Sequence, residues 1–237
     1  MVSARMAKAF QTWTILPHGP LEKLTENLWR LEGNMTETNK RVMSLIRLAD
    51  GRIIIHNAIA LEEELMNEIT AWGTPAAILV PNGFHRQDAK IMKDRFPNAK
   101  VYCPAGARSA VAQVVPVDGS YSDAPSDATV RVRHLDGMKE KEGVVEVQSA
   151  DGSTLIFCDT LLNVSNVKHV FKFLLAPTGR PSVPRFTRWF MVSDKAALKS
   201  QLEQLAAQNL KRLIPGHGPM VVADAMTTLK AVAAELS

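Results

Sequence analysis

The sequence predicts a mixed α/β fold, built either as two packed sheets with helices outside or as one mixed sheet; the order of elements fits both. Three observations carry this. From Arg52 to Cys103, apolar runs and amphipathic stretches alternate as strand, helix, strand, helix, strand. Two Asp-Gly pairs, Asp50-Gly51 and Asp151-Gly152, each lie between apolar runs, the pattern of a β-hairpin. The chain then closes with a helix, a short apolar run and a further helix.

In order, residues 1–20 carry Trp13, Pro17, Gly19 and Pro20 and read as an irregular arm. Leu28 to Glu32, Val42 to Leu48 and Arg52 to His56 read as strands, the last two joined at Asp50-Gly51. Leu61 to Trp72 is acidic early and amphipathic, hence a helix, ended by Gly73-Thr74-Pro75. Ala77 to Val80 is a strand closed by Pro81-Asn82-Gly83, Gln87 to Arg95 a helix, and Lys100 to Cys103 a strand. Residues 105–113 allow a short helix, and a loop runs to about 128. Thr129 to Leu135, Val144 to Ser149 and Thr154 to Cys158 are strands. Residues 160–192 mix apolar residues with Lys168, His169 and Lys172 and are broken by Pro177, Gly179, Pro181 and Pro184, which suggests a lid or insertion. Asp194 caps a helix over Lys195 to Gln208, then come the strand 210–214 and a last helix, about Ala223 to Leu236. No repeat and no linker divides the chain, so a single domain over 1–237 is expected.

Composition narrows the function classes. The chain has 237 residues, 46% apolar and 22% charged, which suits a soluble protein with a full core. Net charge is +4, with Lys and Arg scattered rather than blocked, so no nucleic-acid surface is expected. No apolar run reaches membrane-spanning length. Arg5 and Lys8 are not followed by an apolar stretch, so no signal peptide is expected. Cys103 and Cys158 lack metal-type spacing and read as buried thiols suited to the cytoplasm.

Three strand ends carry chemistry. Val80-Pro81-Asn82-Gly83-Phe84-His85-Arg86-Gln87-Asp88 places His85 where a strand gives way to a helix. Leu155-Ile156-Phe157-Cys158-Asp159-Thr160 places Asp159 where a buried strand runs out. Leu213-Ile214-Pro215-Gly216-His217-Gly218-Pro219 holds His217 in a tight glycine loop. Two imidazoles and a carboxylate suit zinc, iron or manganese, and three protein ligands leave room for water. His56 also ends a strand and is a candidate fourth ligand, orienting group or general base. His18, His134 and His169 lack such placement.

The segments "FPNAKVY", "LIFCDTL" and "LIPGHGP" together resemble the metallo-β-lactamase-fold superfamily, over about Leu21 to the end. The resemblance implies a four-layer αββα sandwich with metal at one edge. It also implies departures from the family's His-x-His-x-Asp-His signature. Taking Phe96-Pro97 as a landmark puts His85 on the signature's last histidine, Phe84 on its aspartate, Asn82 on the second histidine and Val80 on the first. A register slipped by two would put His85 on the second histidine. The family's "TPGHT" segment is matched by Leu135-Asp136-Gly137-Met138-Lys139, without a histidine, and His56 replaces a strand-end aspartate. The chain thus resembles a degenerate branch that keeps His85, Asp159 and His217 for one metal.

The expected function is a mononuclear metal-dependent hydrolase of a small ester, thioester or lactone. His85, Asp159 and His217 hold zinc, iron or manganese, His56 and Asp159 assist the chemistry, and Asn82 and Arg86 meet the substrate. The alternative is a non-catalytic, metal-free member that binds a small ligand or a protein partner. Oligomeric state is left open, a homo-oligomer included.

Overall fold

A computed structural model describes residues 8–36, 39–165 and 173–236. Its strands form two sheets. The first runs in chain order through β1 (Glu22–Thr25), β2 (Leu28–Asn34), β3 (Lys40–Arg47), β4 (Arg52–His56), β5 (Thr74–Leu79), β6 (Lys100–Cys103) and β7 (Gly119–Ser120). Strands β1 to β4 are antiparallel, as hairpin connections require, and β4 to β7 are parallel, with crossovers through α1 (Glu63–Trp72) and α2 (Ala89–Arg95). The crossover from β6 to β7 carries α3 (Arg108–Val111). The second sheet has the order β11-β10-β9-β8, from β8 (Val130–His134), β9 (Gly143–Ser149), β10 (Gly152–Ile156) and β11 (Leu210–Ile214). Here β10 and β11 are parallel and joined through α4 (Arg185–Phe190) and α5 (Lys195–Ala206); α6 (Ala225–Ala234) follows.

Strand alternation builds the layers. On β3, Met43 and Leu45 point to one core, while Val42 and Ile46 point to another. The first core lies between sheet one and α1 and α2, with Ile53, Ile55, Met66, Ile69 and Met92. The middle core lies between the sheets: Ile54, Ala77 and Leu79 from one side meet Val145, Val147, Ile156 and Ile214 from the other. The third joins sheet two to α5 and α6 through Leu155, Leu213, Leu198, Leu202, Leu229 and Val232. Three cores between four layers make an αββα sandwich, so the two-sheet alternative is the one adopted.

Local signals behave as their chemistry dictates. Gly51 takes φ 85° in the β3–β4 turn, a left-handed conformation that glycine adopts without strain. Asp194 caps α5, its carboxylate accepting from Ala197 N at 3.0 Å. The second hairpin is shifted from expectation. Gly152 pairs with Ser149 inside the ladder, so the turn is Ala150-Asp151, and β10 ends at Ile156 rather than Cys158. In the 160–192 stretch, Leu162 bridges Ser182 and His217, and α4 follows Pro184. Lys168 and His169, with Lys172, lie outside the described residues.

Candidate metal centre

His85, Asp159 and His217 converge at one edge of the sandwich, where sheet one meets sheet two. Each is placed by a separate device. His85 follows β5, in a loop that Asn82 shapes: its Oδ1 accepts from Phe84 N at 2.8 Å and His85 N at 3.1 Å. Asp159 sits just beyond β10 on a bend clipped from beneath. The N–H groups of Cys158 and Thr160, on either side of it, both donate to Glu142 Oε1, at 3.2 and 2.7 Å. His217 lies beyond β11 between two glycines that admit no side chain. A Cβ on Gly216 would fall 2.7 Å from the Cys158 carbonyl, and one on Gly218, at φ +89°, would collide with the Asn163 carbonyl.

The ligand atoms form a nearly equilateral triangle. His85 Nε2 is 3.2 Å from Asp159 Oδ1 and 3.2 Å from His217 Nε2, and His217 Nε2 is 3.4 Å from Asp159 Oδ1. Three ligands on a tetrahedral zinc-like ion at 2.0–2.1 Å sit about 3.3–3.4 Å apart, so the triangle has the dimensions of one tetrahedral face. Neither Phe84 nor Met138 lies within it; Phe84 packs edge-on against Phe186, and Met138 belongs to the core of sheet two and its helices.

The surrounding hydrogen bonds also fix which nitrogen faces inward. His217 Nδ1 meets the Lys40 carbonyl, which can only accept, so Nδ1 carries the proton. His85 Nδ1 meets Asn57 Oδ1 at 3.2 Å, and Asn57 uses its own amide N–H on the Val42 carbonyl at 2.8 Å. Asn57 Oδ1 is therefore an acceptor, and His85 Nδ1 is also protonated. In its neutral form each ring would then turn an Nε2 lone pair toward the other and toward Asp159. Three such atoms facing one another could hold a metal ion, and backbone or amide partners behind each imidazole are a usual support of a metal ligand.

Electrostatics agree with that assignment. Burial pushes His85 below its ordinary pKa, against the pull of Asp159. Burial opposes ionisation of Asp159, but where no cation sits between the three groups, protons on the imidazole Nε2 atoms bring positive charge on His85 and hydrogen bonds from both rings, which outweigh it and hold the carboxyl below the usual carboxylate range. Asp159 Oδ2 accepts from Asn82 Nδ2 at 2.8 Å, which leaves Oδ1 to the triangle. The fully buried Glu142 behaves oppositely. Burial, and then the neighbouring charge of Asp159, push its carboxyl up to about 8, so it is protonated at neutral pH.

The other expected site residues are placed differently. His56 is buried at the end of β4 and stands outside the convergent group, with Nδ1 lacking a hydrogen bond among the described residues. Burial pushes it down to about 3, so it is uncharged and a weak base at neutral pH. Arg86, expected to meet the substrate, precedes α2. It is buried, donating to the Ala110 carbonyl and to Gln113 Oε1, the latter at 3.0 Å. His18 pairs with Glu62, and His134 accepts from Ala105 N, both away from the triangle. Cys103 and Cys158 are buried free thiols, Cys103 raised to about 11 by burial and Cys158 also raised.

Sequence reasoning missed four contributors. Asn57 holds φ 56°, a left-handed conformation asparagine tolerates, and its only signal was its place after a strand-end histidine. Glu142 stood in a charged run, Lys139-Glu140-Lys141-Glu142, that reads as solvated loop. Arg41 and Asp88 form a buried ion pair in which Asp88 Oδ1 also accepts from Ala60 N at 2.9 Å.

No family profile matches the sequence, and no curated protein matches it. Solved structures do. DIM-1 metallo-β-lactamase exposed to ceftazidime superposes with a TM-score of 0.63 at 14% identity, over 94% of this chain and 100% of that one. The metallo-β-lactamase FIM-1 from Pseudomonas aeruginosa, in its mono-zinc form, superposes with a TM-score of 0.59 at 13% identity, over 93% and 96%. The fold is that of the metallo-β-lactamases.

Proposed function

We propose that this chain is a mononuclear metal-dependent hydrolase of a small ester, thioester or lactone. The observation that carries the reading is the triangle of two imidazole nitrogens and one carboxylate oxygen, spaced for one tetrahedral ion and pre-set in protonation. His85, Asp159 and His217 would hold the ion, and this donor set suits zinc, iron or manganese. A neighbour of the same fold solved in a mono-zinc form supports occupancy by one ion. When bound, such an ion supplies Lewis acidity, polarising a carbonyl and acidifying water.

The protein's own residues supply the rest. Asn57 and the Lys40 carbonyl orient the two imidazoles. Asn82 occupies Oδ2 of Asp159 with a neutral N–H, where a second cation would otherwise find a ligand. Glu142 fixes the bend that presents Asp159. Asn82 also lines the neighbouring cleft, so it is the residue through which a substrate would meet the centre.

One observation favours a second reading, a metal-free member of the fold that binds a small ligand or a protein partner. The side chains of His85, His217 and Asp159 are only 2%, 9% and 14% exposed, which narrows the approach to the centre. Metal content decides between them. Protein purified without chelator or tag nickel is assayed by elemental analysis beside His217→Ala. About one ion per chain, lost in the variant, is expected, followed by hydrolysis of esters, thioesters or lactones. No metal in either protein, even after it is supplied, would overturn the hydrolase reading.

A further inference from the structure

Beside the triangle lies a cleft of ≈ 190 Å³ that none of the three candidate ligands lines. Its walls are apolar: Phe84, Ala107, Ala110, Phe186, Phe190 and Met191. Lys141 supplies the one charged lining group, and its Nζ donates to the Phe190 carbonyl at 3.0 Å.

Three of the walls are fastened to the candidate centre. Asn82 lines the cleft and donates to Asp159 Oδ2 at 2.8 Å. Phe84 immediately precedes His85. Phe186 immediately precedes Thr187, whose hydroxyl donates to the Asp159 carbonyl at 2.7 Å. A group seated in the cleft therefore lies against Asn82, one hydrogen bond away from the Asp159 carboxylate. Size restricts what that group is. An enclosed apolar cavity of about 150 Å³ accepts benzene, so this cleft holds a phenyl ring or an alkyl chain of about six carbons. The mostly apolar walls offer sugars and charged side chains few partners for the hydrogen bonds to water that they would give up on entry.

We infer that this cleft is a binding pocket for the aryl or short alkyl part of an acyl group, with the acyl carbonyl held toward Asp159. The binding claim stands on the cleft alone. The identification of its occupant as the acyl side of an ester or thioester rests on the hydrolase reading above.

The two are separated by a probe that is not an ester. Benzyl alcohol is titrated into metal-free protein, and the methyl NMR signals of Ala107, Ala110 and Met191 are followed. The expected result is a saturable shift confined to those signals. Ala110→Leu, which fills the cleft from a partly exposed position, raises the Kd about tenfold or more with thermal stability unchanged. Phe190→Ala, at a side chain 57% exposed and thus tolerant of change, weakens the probe severalfold, and keeps the test available should Ala110→Leu fold poorly. No saturable shift, or one that neither variant alters, overturns the pocket whatever the metal analysis gives. If hydrolysis is found, kcat/KM for phenylacetyl and hexanoyl esters exceeds that for acetyl esters about tenfold or more, and Ala110→Leu removes the preference. An equal kcat/KM for all three overturns the acyl assignment while leaving the metal centre standing.

Discussion

Glu142→Gln is expected to stabilise the metal-free protein at mildly alkaline pH, by an amount that grows with pH. Glu142 is fully buried, and its carboxyl is raised from 4.5 to about 8, first by burial and then by the charge of Asp159. Between those two values the folded chain holds a proton that the unfolded chain has released. Stability therefore falls as pH rises through the window, by up to about 1.4 kcal/mol per pH unit, and is unaffected below the unfolded value, where both states are protonated. From about pH 5 to about pH 8 the sum approaches about 4 kcal/mol, or on the order of 10 °C in Tm for a chain of this length. Glutamine keeps an oxygen for the N–H groups of Cys158 and Thr160 and removes the titration. It gives up only the long 3.4 Å contact from Asn82. Thermal unfolding followed by circular dichroism, at several pH values across that window, measures the difference between the two proteins. Other groups titrate in both, so that difference isolates Glu142. A gap that stays constant with pH, or a variant less stable than wild type at the alkaline end, would refute the argument that Glu142 is folded in its protonated form.

Other expectations follow from the same geometry. Asn57→Gly keeps the left-handed backbone but removes the acceptor behind His85 Nδ1, so metal affinity by chelator competition is expected to drop about 10–100-fold; an unchanged affinity would show that the ring needs no such support. Arg41→Met leaves Asp88 buried and uncompensated and is expected to cost about 3–5 kcal/mol in urea unfolding, most of it recovered in Arg41→Met with Asp88→Asn, which removes the charge and keeps an oxygen for Ala60 N. A double variant no better than the single one would contradict this. His56, held at about 3 against an unfolded value of 6.5, binds no proton where the unfolded chain does, so its contribution is present above pH 6.5 and is lost as pH falls toward 3. His56→Leu is expected to flatten that acid limb of the stability profile, and an unaltered limb would place the titration elsewhere.

The sequence made the buried strands most legible. Arg52–His56, Lys100–Cys103 and Leu210–Ile214 are found where expected because each is a short, largely apolar run bounded by turn or breaker residues. Strands Glu22–Thr25 and Gly119–Ser120 were missed because they lie at sheet edges, are short, and show no apolar alternation. The helix Arg185–Phe190 is hidden because Pro184 looks like a breaker in the sequence, whereas it stands at the N-cap, where its missing N–H costs nothing. His85, Asp159 and His217 were legible because each stands at a punctuation mark, where a strand stops. Their supports were not. Nothing in the local pattern around Glu142 says that it is buried, since its neighbours are lysines and a glutamate, and its role depends on strands β9 and β10 pairing.

Each sheet is made from one uninterrupted length of chain, residues 22–120 for the first and 130–214 for the second. His85 belongs to the earlier length, Asp159 and His217 to the later, and Val42 N reaches across to the Gly216 carbonyl at 3.2 Å beside them. An ion held by all three side chains would therefore be a rivet between two halves, and its binding free energy would add to their cohesion. A single backbone cut within 121–129 would turn the chain into two fragments, each carrying a whole sheet, whose reassembly and metal uptake become one equilibrium.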